Sequence, residues 1–311
     1  MSELIKEVLV EPGRLQSPSS ILLYKQCPRK YFYKYIARLP SPKSIHLVRG
    51  SIAHKVMEDV YDIDKQIDLA NLPEDSFLTT LRFVLQEMFR KEWELRREEL
   101  QDVGLDDAEL TDYFNETRVM INNFFQYLLL RMQHLQRKGF TAKEAFLLVK
   151  PRREVELHSK AHHVRGYADA IHLEDEKLVI IDYKTSKKME ITEDYRLQLG
   201  IYAMIYEEIE RLPDEMGIFF LKHGQELRLS VTRELVEEAR QECTAIHLNT
   251  RTKKLQDYPR KPGPLCKWSS GQCEFYETCF SPTLGDYDLD NLVRIGKANP
   301  KPENGAVPGR A

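Results

Sequence analysis

A chain of 311 residues with 42% hydrophobic content is long enough to bury a substantial core, and no run of about 18 apolar residues marks a membrane span. Lysine plus arginine (46) against aspartate plus glutamate (49) leaves a formal charge of -3, which excludes a protein that coats nucleic acid by bulk positive charge. Contact with phosphate would have to come from local patches: Lys25 to Lys34, Lys150 to Arg153, Lys184 to Lys188, or Arg251 to Lys254. The N-terminal stretch MSELIKEVLVEPGRLQ lacks the basic-then-apolar order of a secretory signal, so the expected location is cytoplasmic, with no membrane partner.

After an N-terminal arm (1–16), Ser17-Pro18-Ser19-Ser20 offers hydroxyl caps for a helix over Ile21 to Ile36. Pro40-Ser41-Pro42 breaks it, and Gly50 to Tyr61 reads as a second helix. From Ser76 to Lys138 apolar residues recur at spacings of three and four, with one acidic interruption near Asp102 to Asp112, which predicts a helical insertion over about 66–140. Strand patterning begins at about Ala145 and runs through AFLLVKPRREVELHS, VRGYADAIHL and KLVIIDYKT. A helix is expected over Glu193 to Arg211, then strands GIFFLKHG and ELRLSV, then a helix over Arg233 to Leu248. This order predicts an α/β domain with a mixed sheet flanked by helices, spanning 17–282, followed by a flexible tail over 283–311 that is poor in apolar residues.

The strands VRGYADAIHL and KLVIIDYKT are separated by Glu174-Asp175-Glu176-Lys177, a plausible four-residue hairpin loop. If Leu173 and Leu178 close that loop, Asp169 falls opposite Asp182. Two carboxylates so placed repel, and a hard divalent cation, Mg²⁺ or Mn²⁺, is the natural compensator. Strand alternation puts Lys184 on the same face as Asp182, where an amine would orient water or stabilise charge on a phosphate, and the Tyr183 carbonyl would add an oxygen ligand.

Gly166-Tyr167-Ala168-Asp169 followed by Ile181-Asp182-Tyr183-Lys184 resembles the G-x-x-D and D-x-K elements of RecB-like nucleases in the PD-(D/E)xK superfamily. Gly50-Ser51-Ile52-Ala53-His54 is similar to the upstream motif whose histidine ligates metal, and Gln198 with Tyr202 resembles the Q-x-x-x-Y helix after the catalytic lysine. The resemblance implies a restriction-endonuclease-like core in which His54, Asp169 and Asp182 hold the metal and Gln198 and Tyr202 position substrate. A further acidic ligand is often found on the preceding strand. Glu154 and Glu156 both qualify.

Of five cysteines, Cys27 lies near the start and Cys266-x6-Cys273-x5-Cys279 forms a segment near the end, whereas Cys243 falls on an apolar helix face and reads as core. Four thiolates suit a [4Fe–4S] cluster or a structural zinc, and spacing alone does not decide. The Cys27-Pro28-Arg29-Lys30-Tyr31 stretch with the late triplet resembles the iron–sulfur members of this group, which include CRISPR-associated RecB-like exonucleases, the nuclease domain of AddB and exonuclease V. That resemblance favours [4Fe–4S] and implies an iron–sulfur clamp joining the terminal segments. The six residues between Cys266 and Cys273 depart from the two often found there.

Taken together, the resemblance implies an exonuclease acting on DNA that is single-stranded or has free ends, in recombination, repair or CRISPR adaptation. No G-x-x-x-x-G-K-[ST] motif occurs, so a helicase would be a separate partner, as would a CRISPR adaptation subunit. Two alternatives are a non-catalytic DNA-end-binding iron–sulfur module, and an endonuclease on RNA or structured DNA.

Overall fold

A computed structural model describes residues 13–65, 67–269 and 271–280. The expected tail (283–311) and most of the expected N-terminal arm lie outside the described residues. The chain divides into two units, Lys43–Gln241 and the segments that precede and follow it.

The larger unit begins with helix α3 (Ile45–Asp59), capped by the Ser44 side chain. Helix α1 (Pro18–Gln26) and helix α2 (Pro28–Tyr31) belong to the other unit. A 3-10 turn (Val60–Lys65) extends α3, so the helix expected over Gly50 to Tyr61 starts one turn earlier. Next come α4 (Glu74–Leu95), α5 (Arg97–Gln101), α6 (Asp107–Gln136) and α7 (Ala142–Leu148). The acidic interruption of the sequence is the break before α6, where Asp106 and Glu109 form a capping box.

Residues Ala145 to Leu148, expected as strand, are helical. Thr141 and Glu144 cap α7 reciprocally, and its Ala142, Ala145 and Phe146 are buried at helical spacing. A short apolar run does not distinguish strand from buried helix, and here the cap decides.

Five strands follow: β1 (Arg152–Ser159), β2 (Val164–Glu174), β3 (Lys177–Lys184), β4 (Glu215–Phe220) and β5 (Gln225–Ser230), with α8 (Glu193–Ile209) between β3 and β4. They form one sheet in the order β1-β2-β3-β4-β5, in which only β3 and β4 run parallel. The helical crossover α8 permits that parallel pairing. Helix α9 (Arg233–Asn249) starts against α8, where a Cβ on Gly200 would stand 3.1 Å from Leu235.

The β2–β3 hairpin is tighter than expected. Glu174 pairs with Lys177, leaving Asp175 and Glu176 as a two-residue turn with φ of 45° and 70°. Both are left-handed, as the hairpin turn that matches strand twist requires. Shortening the loop by one residue on each side leaves the register unchanged, and Leu173 still faces Leu178.

One sheet face contributes Ala170, Val179, Ile181, Tyr183 and Phe219 to the core built with α3, α4, α6 and α7. Alternation therefore directs Ile180, Asp182 and Lys184 to the opposite face, the side of α8. His172 lies opposite Val179 and shares the helical-layer face. It is buried, and its Nε2 has no hydrogen-bond partner.

Burial, reinforced by the charge of Arg131, lowers the His172 pKa to about 3. An unfolded histidine titrates near 6.5, so between those values the unfolded chain binds the extra proton, and stability falls as pH drops below about 6.5. The loss is on the order of 1 kcal/mol per pH unit. Urea unfolding of the parent and His172→Leu at pH 7 and pH 4.5 should show a smaller acid-induced loss in the variant. Equal losses would contradict the assignment.

Candidate active site

Continuing the β2–β3 register one step beyond Ala170 and Ile181 sets Asp169 opposite Asp182, both buried. The ladder is interrupted there by side chains. Asp169 Oδ2 accepts the Tyr183 N–H at 2.6 Å, and Asp169 Oδ1 lies 3.2 Å from His54 Nδ1. The other imidazole nitrogen, Nε2, is 3.1 Å from the Tyr183 carbonyl oxygen. A carbonyl and an ionised carboxylate only accept, so both ring nitrogens must donate and His54 is an imidazolium. Burial opposes that charge, but Asp169 and then Asp182 outweigh it and raise the His54 pKa to about 9.

Asp182 is held differently. Gln198 Nε2 donates to Asp182 Oδ1 at 2.9 Å and contacts the Tyr202 hydroxyl oxygen at 3.1 Å. Gln198 and Tyr202 are four residues apart on α8, whose Thr192 cap accepts the Tyr195 N–H. Gln198 therefore touches the carboxylate of Asp182, and Tyr202 touches Gln198. The Lys184 ammonium is 2.5 Å from Asp182 Oδ2, yet that buried oxygen accepts no well-directed hydrogen bond. Burial and the facing charge of Asp169 raise the Asp182 pKa against the pull of Lys184. Burial disfavours the charge on Lys184, but Asp182 outweighs it, so the amine stays an ammonium. Two carboxylates thus face one imidazolium and one ammonium.

Glu154 and Glu156, the two acids expected on the preceding strand, are placed differently. Glu154, His54 and Asp169 each present a ligand atom, and these lie within 4.8 Å of one another. Glu156 pairs with Tyr167 and is exposed. Glu154 has φ of 46°, unusual for a non-glycine residue and extreme within a strand. Such conformations cost on the order of 1–3 kcal/mol and concentrate at functional sites. Burial, then the charge of Asp169, raises its pKa. A cluster of three carboxylates around a proton-bearing histidine, with one carboxylate oxygen unsatisfied, fits a hard divalent cation.

Of the basic patches, Lys150 and Arg153 both pair with Asp62 at 2.9 Å, and Arg152 pairs with Glu210. These are ordinary intramolecular ion pairs. In the other unit, Lys25 pairs with Glu242 and Lys30 with Glu274.

That other unit carries all four candidate cysteines, each half-buried. Helix α1 is capped by the reciprocal Ser17–Ser20 pair. The single helix expected over Ile21 to Ile36 is broken at Cys27, which is extended (φ -159°, ψ 109°); α2 follows and merges into a wider π-type turn, Phe32–Ile36. Pro28 explains the break, since it disfavours helical backbone in the residue before it. Arg29 Nε donates to the Tyr258 carbonyl at 2.7 Å, and Tyr33 packs on Phe275 with ring centroids 5.6 Å apart. These contacts bring the Cys27 segment to the late strands β6 (Lys267–Trp268) and β7 (Gly271–Gln272) and the short helix α10 (Tyr276–Phe280). The Cys273 N–H donates to the Cys266 carbonyl at 2.9 Å. Burial raises the Cys279 thiol pKa, Arg260 and Arg29 oppose it, and Cys27 and Cys266 lie close enough to add to it. Cys243 is fully buried, as its apolar helix face predicts.

A mixed sheet with facing aspartates and a nearby lysine, between helical layers, is suited to metal-dependent phosphodiester hydrolysis. The family model of the PD-(D/E)XK nuclease superfamily matches residues 16–280, and the chain belongs to that superfamily. No curated protein matches it. Among the described residues no helix is long and apolar enough to cross a membrane.

The two aspartates should respond oppositely to neutralisation. The Asp169 carboxylate accepts the Tyr183 N–H and faces His54, which together outweigh its burial and lower its pKa, whereas the Asp182 pKa is raised. In metal-free protein at pH 7, Asp169→Asn should lower stability and Asp182→Asn should raise it, each by roughly 1 kcal/mol. Thermal melts with chelator present will read this. Equal destabilisation by both would show that the carboxylates are not in conflict.

Proposed function

We propose that this nuclease cleaves DNA at Asp169, Asp182 and Lys184, as an exonuclease on single strands or free ends. The observation that carries the reading is the buried facing pair Asp169 and Asp182, whose charges are met by His54 and Lys184. Glu154, Asp169, Asp182 and the Tyr183 carbonyl are the oxygen donors for Mg²⁺ or Mn²⁺, and His54 would add a nitrogen donor once the ion displaces its proton. When bound, the ion supplies Lewis-acid activation of water and positive charge for the phosphate.

The protein's own groups do the rest. Lys184, held as an ammonium, donates to the phosphate oxygens as negative charge grows rather than removing a proton from water. Gln198 fixes the Asp182 carboxylate through Oδ1 and is itself oriented by Tyr202. Their role is thus to position the metal-binding acid, in place of the substrate contact that the resemblance implies. Glu154, rather than Glu156, completes the acidic set.

For the second unit we propose a [4Fe–4S] cluster on Cys27, Cys266, Cys273 and Cys279, with zinc as the less favoured occupant. Support comes from the soft donor set and from the flanking cations Arg29 and Arg260, which offset thiolate charge. The cluster would fasten the two segments already joined by the Arg29–Tyr258 and Lys30–Glu274 contacts. Partners consistent with this reading are a separate helicase or a CRISPR adaptation subunit, in recombination, repair or spacer acquisition.

An end-labelled panel of single- and double-stranded DNA and RNA with Mg²⁺ or Mn²⁺ tests the activity. The expected result is metal-dependent shortening of DNA from its ends, reduced by orders of magnitude in Asp182→Ala and Lys184→Ala. Undiminished cleavage in either variant would remove the site, and internal cuts or RNA preference would replace the substrate assignment. Anaerobically purified protein should be brown, with iron and sulfide in near-equal amounts; zinc without iron would overturn the cluster.

A further inference from the structure

Helix α3 carries more than His54. His46, Gly50 and His54 recur at spacings of four, along one helical face. At about 1.5 Å per residue, His46 lies roughly 12 Å along the axis from His54.

Beside His46, Arg49 is 2% exposed. Its Nη1 donates to Glu116 at 2.8 Å, its Nη2 is 3.4 Å from His46 Nδ1, and its buried Nε has no partner. The guanidinium also sits 5.1 Å from the centre of the Tyr113 ring. The same Glu116 oxygen is 3.1 Å from Lys222 Nζ, in the turn after β4. The Lys187 carbonyl, in the loop after Lys184, accepts from His223 Nε2 at 2.9 Å, which ties that loop to the turn. Burial and then the charges of Arg49, Lys187 and Lys222 lower the His46 pKa, against the pull of Glu116.

Two permanent cations, Arg49 and Lys222, therefore share one carboxylate, with Lys187 on the adjoining loop, and Glu116 is itself nearly half exposed (45%). The group is short of negative charge. Between it and His54 the helix face is bare: a Cβ on Gly50 would meet nothing within 4 Å. Glycine in a helix interior is a destabilising choice, and here no neighbouring protein atom demands it. A glycine that packing does not require leaves room for something that arrives later.

We propose that Arg49, Lys187 and Lys222 form a second anion subsite, which holds a phosphodiester other than the one being cleaved, with the nucleic-acid strand crossing α3 over Gly50. The inference rests on the nuclease reading above and adds where the rest of the strand lies. Arg49 gives the subsite a rigid, packed cation, while exposed Lys187 and half-buried Lys222 supply the phosphate contacts. Phosphate contacts of this kind set the register of a strand without reading its sequence.

The test uses the full chain, a fluorescein-labelled single-stranded DNA oligonucleotide and Ca²⁺, with dissociation constants measured over a range of salt. The double variant Lys187→Gln/Lys222→Gln alters two side chains that are not buried, and Gly50→Ala adds only a methyl group. The double variant should bind about tenfold more weakly, with a log–log salt slope shallower by about 1 to 2. Gly50→Ala should weaken binding without changing that slope and without lowering the melting temperature. Mn²⁺ affinity should remain that of the parent in both, which separates loss of the strand from loss of the metal site. An unchanged affinity and salt slope in the double variant, with a parent that binds and cleaves DNA, would overturn this subsite alone. A parent that neither binds nor cleaves DNA would overturn the nuclease reading and the subsite with it.

Discussion

The constraint on which the larger unit depends is the burial of two carboxylates opposite each other in the middle of a sheet. Asp169 and Asp182 are each less than a tenth exposed, and charges so enclosed persist only when paired. The pairing comes from three separate pieces of chain. Helix α3 delivers His54, β3 delivers Lys184 two residues beyond Asp182, and α8 delivers Gln198. Every one of these elements must be in place for the sheet centre to tolerate its own charge. Fold and site are therefore one electrostatic problem.

That problem also explains the local oddities. Tyr183 is the hinge residue of the site, since its N–H goes to Asp169, its carbonyl to His54, and its ring into the core against Phe124. Its side chain anchors β3 from the helical side while its backbone serves the opposite one. Glu154 occupies left-handed backbone within β1 at the point directly across from Asp169. At that position a third acid comes within 4.8 Å of the ligand atoms of His54 and Asp169.

Much of this was legible in the sequence, and for identifiable reasons. The side-chain period of a strand is two, so once the β2–β3 hairpin is recognised a single register decision puts Asp169 opposite Asp182 and Lys184 on the same face. The hairpin loop is two residues, Asp175 and Glu176, rather than four, and the symmetric shortening spares the register. The helix at Ala142–Leu148 was misread because its apolar run is too short to show a period, and only the Thr141–Glu144 cap distinguishes it. The choice of Glu154 over Glu156 was illegible, because they share a nominal strand face and only the backbone conformation at Glu154 separates them. Of the proposed Arg49, Lys187 and Lys222 subsite, only Lys187 falls in a basic patch that the sequence singles out. Its members come from a helix, a loop and a turn, and no spacing rule connects them. Conversely, the Lys150 to Arg153 patch looked like a phosphate contact and is consumed by Asp62 and Glu210.

The central claim is that the carboxylate pair is a cation site from which Lys184 stands apart. It is tested most directly by titrating Mn²⁺ against the full chain and two variants, with free ion followed by electron paramagnetic resonance. Asp182→Ala should lose the bound ion, because the remaining acids would hold it weakly, whereas Lys184→Ala should keep it or bind it more tightly once the competing ammonium is gone. Retention of Mn²⁺ in Asp182→Ala together with its loss in Lys184→Ala would contradict the account.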